Sequence, residues 1–388
     1  MLSAATSGRL RSVDILRGLA CVLMAIDHVR VYSGLPAGGP TAGIFFTRWI
    51  THFVAPAFCF LAGTGAYLHG RKLGNPSALT RFLVSRGTLL VVLELTVIRF
   101  LWTFNVDYAH YILAGVIWML GICMILLGVL VRFSPRAVGI FGLIVVFGQQ
   151  IVGHLAKALP DAVQSTIGWL FQFLYFGGRV SLGSDGPSIS VLYSIVPWIG
   201  VMAAGYWFGT VFTKEPGERR RLCLRLGLGA TVAFLVIGGL LAGRSPVDSD
   251  SPPVLFRLLG QQKYPASQLF LLMTLGPLIA LVPAAERVTG WLSNALETIG
   301  RVPMFYYLLH ILVIHLAAMV VSMARFGRVD PWLFGNHPMN PPPQPDGYQW
   351  SLSLLYGVFL VVLPALYLGC RWYAGVRARH PRSWLRFI

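Results

Sequence analysis

The chain has 388 residues, 56% of them hydrophobic and only 12% charged, with a mean hydropathy of +0.68. Water-soluble domains carry roughly 25% charged residues, so a soluble fold is excluded and a polytopic membrane protein is indicated. The 13% aromatic content excludes a disordered chain. The formal charge of +17 suggests nucleic acid only until its placement is considered, because the basic residues sit in short loops between apolar runs.

Taken in chain order, apolar runs long enough to cross a bilayer number about ten, at ~17–25 residues each. They cover residues 13–33, 49–69, 82–104, 111–131, 137–155, 191–212, 222–242, 267–282, 302–323 and 352–368. Residues 167–176 are apolar but short, as in an interfacial or re-entrant segment. The runs are continuous, whereas barrel strands alternate over roughly ten residues. The expected fold is therefore all-α: one integral-membrane helical bundle over 1–388. The first run lacks a small-residue cleavage site and reads as a retained helix. Residues 336–346 carry five prolines, at 338, 341, 342, 343 and 345, and read as irregular.

Placing the N-terminus in the cytoplasm assigns 20 basic residues to the inner side. These are Arg9, Arg11, Arg71, Lys72, Arg81, Arg86, Arg132, Arg136, Lys214, Arg219, Arg220, Arg221, Arg225, Arg287, Arg301, Arg371, Arg377, Arg379, Arg382 and Arg386. The outer loops, although longer, receive nine: Arg30, Arg48, Lys157, Arg179, Arg244, Arg257, Lys263, Arg325 and Arg328. The positive-inside bias then puts both termini in the cytoplasm. It also explains the net charge without a nucleic-acid partner. The five cysteines show no paired or metal spacing and read as small buried hydrophobes.

Ionisable side chains within a span are costly and mark function by default. The first run carries Asp14, Arg17, Asp27 and His28. Eleven steps from Arg17 to His28 at ~100° each amount to three turns plus ~20°, so the two share a face, roughly 16 Å apart along the axis. Asp14 lies three residues before Arg17, within ion-pairing reach. A cation near the inner surface suits a phosphate-bearing ligand from the cytoplasm. A histidine further along the face suits a general base.

The segments LRSVDILRGLACVLMAIDHVRVYSG and RWITHFVAPAFCFLAGTGAYLHGRK hold a start of the form RSVDxxRG, followed by Pro56, Phe58, Phe60 and Gly63 in a P-x-F-x-F-x-x-G pattern. With TIGRVPMFYYLLHILVIH later in the chain, the sequence resembles bacterial relatives of heparan-alpha-glucosaminide N-acetyltransferase, within a wider group of transmembrane acyltransferases. The spacing Arg17-x10-His28 is also similar to a pattern of the related sugar O-acyltransferases. The resemblance implies that cytoplasmic acyl-CoA, most simply acetyl-CoA, donates its acyl group to a sugar hydroxyl or amine on the far side of the inner membrane. It assigns His28 the base or acyl-accepting role and Arg17 a contact to the CoA phosphates. One departure stands out: the lysosomal enzyme has its catalytic histidine in the loop before the second helix. This chain has no histidine between Val29 and Thr51, so His28 or His52 would take that place.

Other candidates are weighed beside these. His52 opens the second run on the outer side, either to meet His28 across a cavity or to sit at the interface. Asp27 is kept with His28 and His52 in the candidate catalytic set, although it points about 100° away from its neighbour His28 and is expected to pair with Arg30. Glu94, in mid-span, requires a partner, with Arg86 and Arg99 nearest in sequence, and a buried structural ion pair is expected. Arg301 is placed to hold a second phosphate, and with Asp14 and Arg17 completes the expected co-substrate set. His310 is either a polar bundle contact or a part of the catalytic machinery. His310 and His315, five apart, lie about 140° around the helix and do not form a metal face. No metal and no permanently bound cofactor are expected. The expected partners are acyl-CoA, a glycan or small sugar and the lipid bilayer, and a homodimer is compatible with the sequence. The rival class is a secondary transporter using the same intramembrane charges, but such folds often show inverted repeats and paired broken helices, whereas no internal repeat is evident in the sequence and the charges concentrate in one helix.

Overall fold

A computed structural model describes residues 10–39, 41–183, 186–244, 246, 251–339 and 341–380. The basic residues Arg9, Arg382 and Arg386 of the inner count lie outside them. The chain is mostly helical. It runs through α1 (Arg11–Ser33), α2 (Ala42–Trp49), α3 (Val54–Leu73), α4 (Pro76–Leu93), α5 (Arg99–Thr103), α6 (Val116–Leu130), α7 (Pro135–Gly148), α8 (Gln150–Ala158) and α9 (Asp161–Phe171). It continues through α10 (Val196–Phe208), α11 (Pro216–Arg244), α12 (Val254–Leu259), α13 (Gln268–Arg287), α14 (Trp291–Gly300), α15 (Pro303–Phe326) and α16 (Leu352–Arg379).

Among the described residues, five helical stretches are long and apolar enough to cross a membrane: Ala42–Leu73, Pro216–Arg244, Gln268–Arg287, Pro303–Phe326 and Leu352–Arg379. The pair α7 and α8, bent by 55° between them, would make a sixth. That is fewer than the ten apolar runs, for physical reasons. Helix α1 has 23 residues but includes Arg11, Asp14, Arg17, Asp27 and Arg30. Helices α6 and α10 have only 15 and 13 residues.

Local signals set the helix ends. Asn75 and Ser134 cap α4 and α7 with side-chain oxygens, each followed by a proline at the first helical position. Gly34, Gly74 and Gly327 end α1, α3 and α15 in the left-handed region.

Two expected spans begin differently. Residues 112–114 and 191 lie in a small sheet, not a helix: β1 (Ile112–Ala114) pairs in parallel with β3 (Ser188–Val191), and β2 (Gly178–Ser181) pairs antiparallel with β3. Apolar run length alone does not distinguish a short buried strand from the first turn of a helix.

Helix α1 lies at the centre and packs against α3, α13, α14, α15 and α16. Glycines permit the closest crossings. A Cβ on Gly18 would come within 1.9 Å of the Leu296 carbonyl oxygen, and one on Gly300 within 1.8 Å of that of Asp14. Gly63 and Gly205 serve the α3–α10 crossing in the same way, 2.0 and 2.1 Å from Met202 and Phe60 oxygens. Small residues at such crossings suit helices that associate by van der Waals contact within lipid. On the perimeter, α11 turns Val232, Leu235, Val236 and Leu240 outward.

Candidate active site

Arg17 rises from the first third of α1 and leans on α3. Its Nη2 donates to the Leu61 carbonyl oxygen at 2.7 Å, and Asp14 lies 3.7 Å from its Nη1. Gly65 makes room for it, since a Cβ there would sit 2.6 Å from Nη2. The guanidinium borders a cavity of about 380 Å³ between α1, α3, α4, α6, α15 and α16. Lys72, Arg86, Arg301 and Arg377 line the same cavity with His69, and Asp14 is the one carboxylate in its wall. Arg301 also forms an ion pair with Glu297. Many cations around one open volume favour a polyanionic guest. Apolar side chains (Phe58, Ile117, Leu120 and Met304) continue the wall to Tyr307.

Beyond Tyr307 stands a histidine pair. The Tyr307 ring lies 6.3 Å from that of His28, and His28 meets His310, with Nδ1 of His28 2.5 Å from Nε2 of His310. His310 Nδ1 lies 3.0 Å from the Tyr306 carbonyl oxygen, which can only accept, so Nδ1 carries the proton. Nε2 of neutral His310 is then an acceptor, and the His28 Nδ1–H donates to it. This tautomer leaves the lone pair of His28 on Nε2. Trp102 closes the other side, edge-on at 4.7 Å.

The rest of the expected set separates from this pair. His52 packs against Phe270, and its Nδ1 is buried without a hydrogen-bond partner. The ring that meets His28 is that of His310. Asp27 holds Arg30 through Oδ1 at 2.9 Å, as its spacing suggested, and also Arg48 through Oδ2 at 2.7 Å. It is a lock between α1 and α2. Lys263, from the loop before α13, is buried beside them over the rings of Tyr193 and Tyr264. Burial pushes its ammonium below the ordinary value.

The ion pair expected for Glu94 does not form. Its Oε2 accepts from the backbone N–H of Ile117 and Trp118, at 3.0 and 3.3 Å, where the N-terminus of α6 supplies unpaired donors. The wide turn Glu94–Ile98 joins α4 to α5 at this carboxylate. Arg99 points elsewhere, to the carbonyl oxygens of Tyr111 and Asn105 at 2.9 and 2.5 Å, and ties down the loop before β1.

Sequence reasoning singles out none of His69, Lys72, Arg86 and Arg377 for the site, and the three basic residues count there only toward topology. Ala62, Gly65, His69 and Lys72 recur at three- and four-residue steps along α3, a spacing that places them on one face. That periodicity would have found two of the four missed residues, His69 and Lys72.

A helical bundle with outward apolar faces around a charged cavity defines an integral membrane protein. The chain belongs to the heparan-alpha-glucosaminide N-acetyltransferase family, a family of membrane acyltransferases: the family model for the catalytic region of that enzyme matches residues 9–241. No curated protein matches the chain. Arg17, His28, His69, Lys72 and Arg86 fall within the matched residues, whereas Lys263, Arg301, Tyr307, His310 and Arg377 come from beyond them.

Proposed function

We propose that this chain is an acyl-CoA-dependent acyltransferase of a bacterial inner membrane, moving an acyl group, most simply acetyl, to a sugar hydroxyl or amine. The observation that carries this reading is one cavity with five basic side chains in its wall that ends one aromatic ring short of a histidine with its Nε2 lone pair uncommitted. The CoA phosphates rest on Arg17, Arg301 and the neighbouring cations. The pantetheine arm follows the apolar wall toward Tyr307, and the separation of Arg17 and His28 along α1, roughly 16 Å, is of the order that arm requires.

His28 Nε2 takes the proton from the acceptor O–H or N–H as the acceptor atom bonds to the thioester carbonyl carbon. The C–S bond breaks, and the proton passes from His28 to the departing CoA sulfur. His310 holds the imidazole in the tautomer this step needs. In the membrane the chain makes about ten crossings, with α1, α4–α5, α6 and α10 joining the longer helices and both termini in the cytoplasm. The positive-inside bias supports that orientation. So does the grouping of side chains: every basic residue in the cavity wall other than Arg17 belongs to the inner set, whereas Arg30, Arg48 and Lys263 of the outer set gather beyond His28. The acceptor therefore approaches from the extracytoplasmic side.

Acetyl-CoA titrated calorimetrically into detergent-purified protein tests the reading. Micromolar binding that Arg17→Ala weakens by about tenfold is expected. Folded wild-type protein that binds no acetyl-CoA would remove it.

A further inference from the structure

Beyond His28, the outer end of α1 holds more positive charge than its surroundings neutralise. Arg30, Arg48 and Lys263 converge there, and among the described residues Asp27 is the one carboxylate paired with any of them. Both of its oxygens are engaged, one by each arginine. Lys263 has no carboxylate partner among the described residues. Its Nζ lies 5.6 and 5.3 Å from the ring centres of Tyr193 and Tyr264, and the residue is only 7% exposed. A buried ammonium facing aromatic rings and two guanidiniums is costly unless a counter-charge joins it. His52 adds a second unmet demand, with a buried Nδ1 that has no hydrogen-bond partner among the described residues.

We propose that Lys263, with Arg48 and His52, forms a subsite for an anionic group carried by the acyl acceptor, a sugar carboxylate or phosphate ester. The assignment to the acceptor rests on the function proposed above. Lys263, Arg48 and Arg30 lie within electrostatic range of His28, and they lie apart from the cavity wall that would take the CoA phosphates. Three cations against one carboxylate leave room for one or two negative charges. The Lys263 ammonium is a compact donor on a flexible stem, suited to a single anionic oxygen, and the hydroxyls of Tyr193 and Tyr264 lie 3.3 Å apart beside it. Lys263 stands outside the matched residues 9–241, so the subsite is assembled by the later part of the chain upon the matched one.

The test uses the whole protein in phosphatidylcholine nanodiscs, where no lipid headgroup carries net negative charge. Glucuronate and glucose 6-phosphate are compared with glucose by calorimetry for wild type, Lys263→Gln and Lys263→Arg. The charged sugars should bind wild type at least about tenfold more tightly than glucose. Lys263→Gln should erase that preference, Lys263→Arg should keep most of it, and acetyl-CoA affinity should be the same in all three. Equal binding of charged and neutral sugars by wild type overturns the proposal, and needs no variant to fold. A preference that survives Lys263→Gln overturns it as well. Loss of the preference when phosphatidylglycerol is included would assign the site to a lipid headgroup and overturn the acceptor. A preference for charged sugars in protein that does not bind acetyl-CoA would leave the subsite standing and remove the acyltransferase reading.

Discussion

Arg17 and Arg30 lie on the same helix, yet their surroundings are opposite in kind. Arg17 is 20% exposed in its side chain, 3.7 Å from Asp14, with a cavity beside it. Arg30 is 10% exposed, clamped to Asp27 at 2.9 Å and to the Leu35 carbonyl oxygen at the same distance. Arg17, although held to the Leu61 carbonyl oxygen at 2.7 Å, borders the cavity proposed above to take the CoA phosphates. The outer end has built its pairing into the fold. Two arginines on one helix thus have different surroundings, one beside a cavity and one locked into a buried pair.

The largest effect that separates the two ends is on stability. Asp27→Asn leaves Arg30 and Arg48 buried with no carboxylate between them, and removing one member of a buried pair costs about 3–5 kcal/mol. A marked fall in Tm of the detergent-purified protein is expected. Asp14→Asn, at the cavity, should cost clearly less. Comparable losses at the two positions would erase the distinction between a lock and a ligand-facing pair.

Next in size is a rate effect where the two ends meet. On the mechanism proposed above, His310 acts on the acceptor only through His28, as a positioning residue, and losing such an orienting partner is expected to cost about 10–100-fold. His310→Ala should lower kcat for acetyl transfer in that range while the KM for acetyl-CoA holds. A variant whose KM rises with kcat unchanged would place His310 in binding instead.

The α1 stripe could be read in the sequence because helical geometry alone puts Arg17 and His28 on one face, and both residues belong to one element. Partners from other elements could not. His310 reaches His28 only because α15 packs on α1 with a particular rotation, which no spacing within either helix records. Glu94 was expected to find an arginine because two stood near it in sequence. It found the N-terminus of α6, whose donors have no letter in the sequence. Lys263 is one lysine in a Gln-Gln-Lys-Tyr-Pro loop, with nothing local to indicate burial. Its role depends on charges delivered by α1 and α2.

A smaller effect probes the inner end without touching a charge. Gly65→Val puts a branched side chain where even a Cβ would sit 2.6 Å from Arg17 Nη2. The guanidinium must move, and acetyl-CoA affinity should fall by up to about tenfold, roughly 1.4 kcal/mol. Tm should change little, since the side chain can yield into the cavity. An unchanged affinity would mean that the position of Arg17 is not what the guest reads.

The smallest effect belongs to the loop between α15 and α16. His337 is buried with its ring stacked on Tyr111, centroids 3.6 Å apart. Burial, with the Arg99 charge adding to it, lowers its pKa from 6.5 to about 3. Between those values the unfolded chain binds a proton that the native histidine refuses, so stability rises with pH and falls as acid is added. The slope approaches about 1.4 kcal/mol per pH unit, and the loss between pH 7 and 5.5 is about 1 kcal/mol. His337→Phe keeps a ring on Tyr111 but cannot titrate. Its Tm should therefore decline less than that of wild type over this interval. If the two curves fall in parallel, the acid sensitivity lies elsewhere and His337 is only a packing residue.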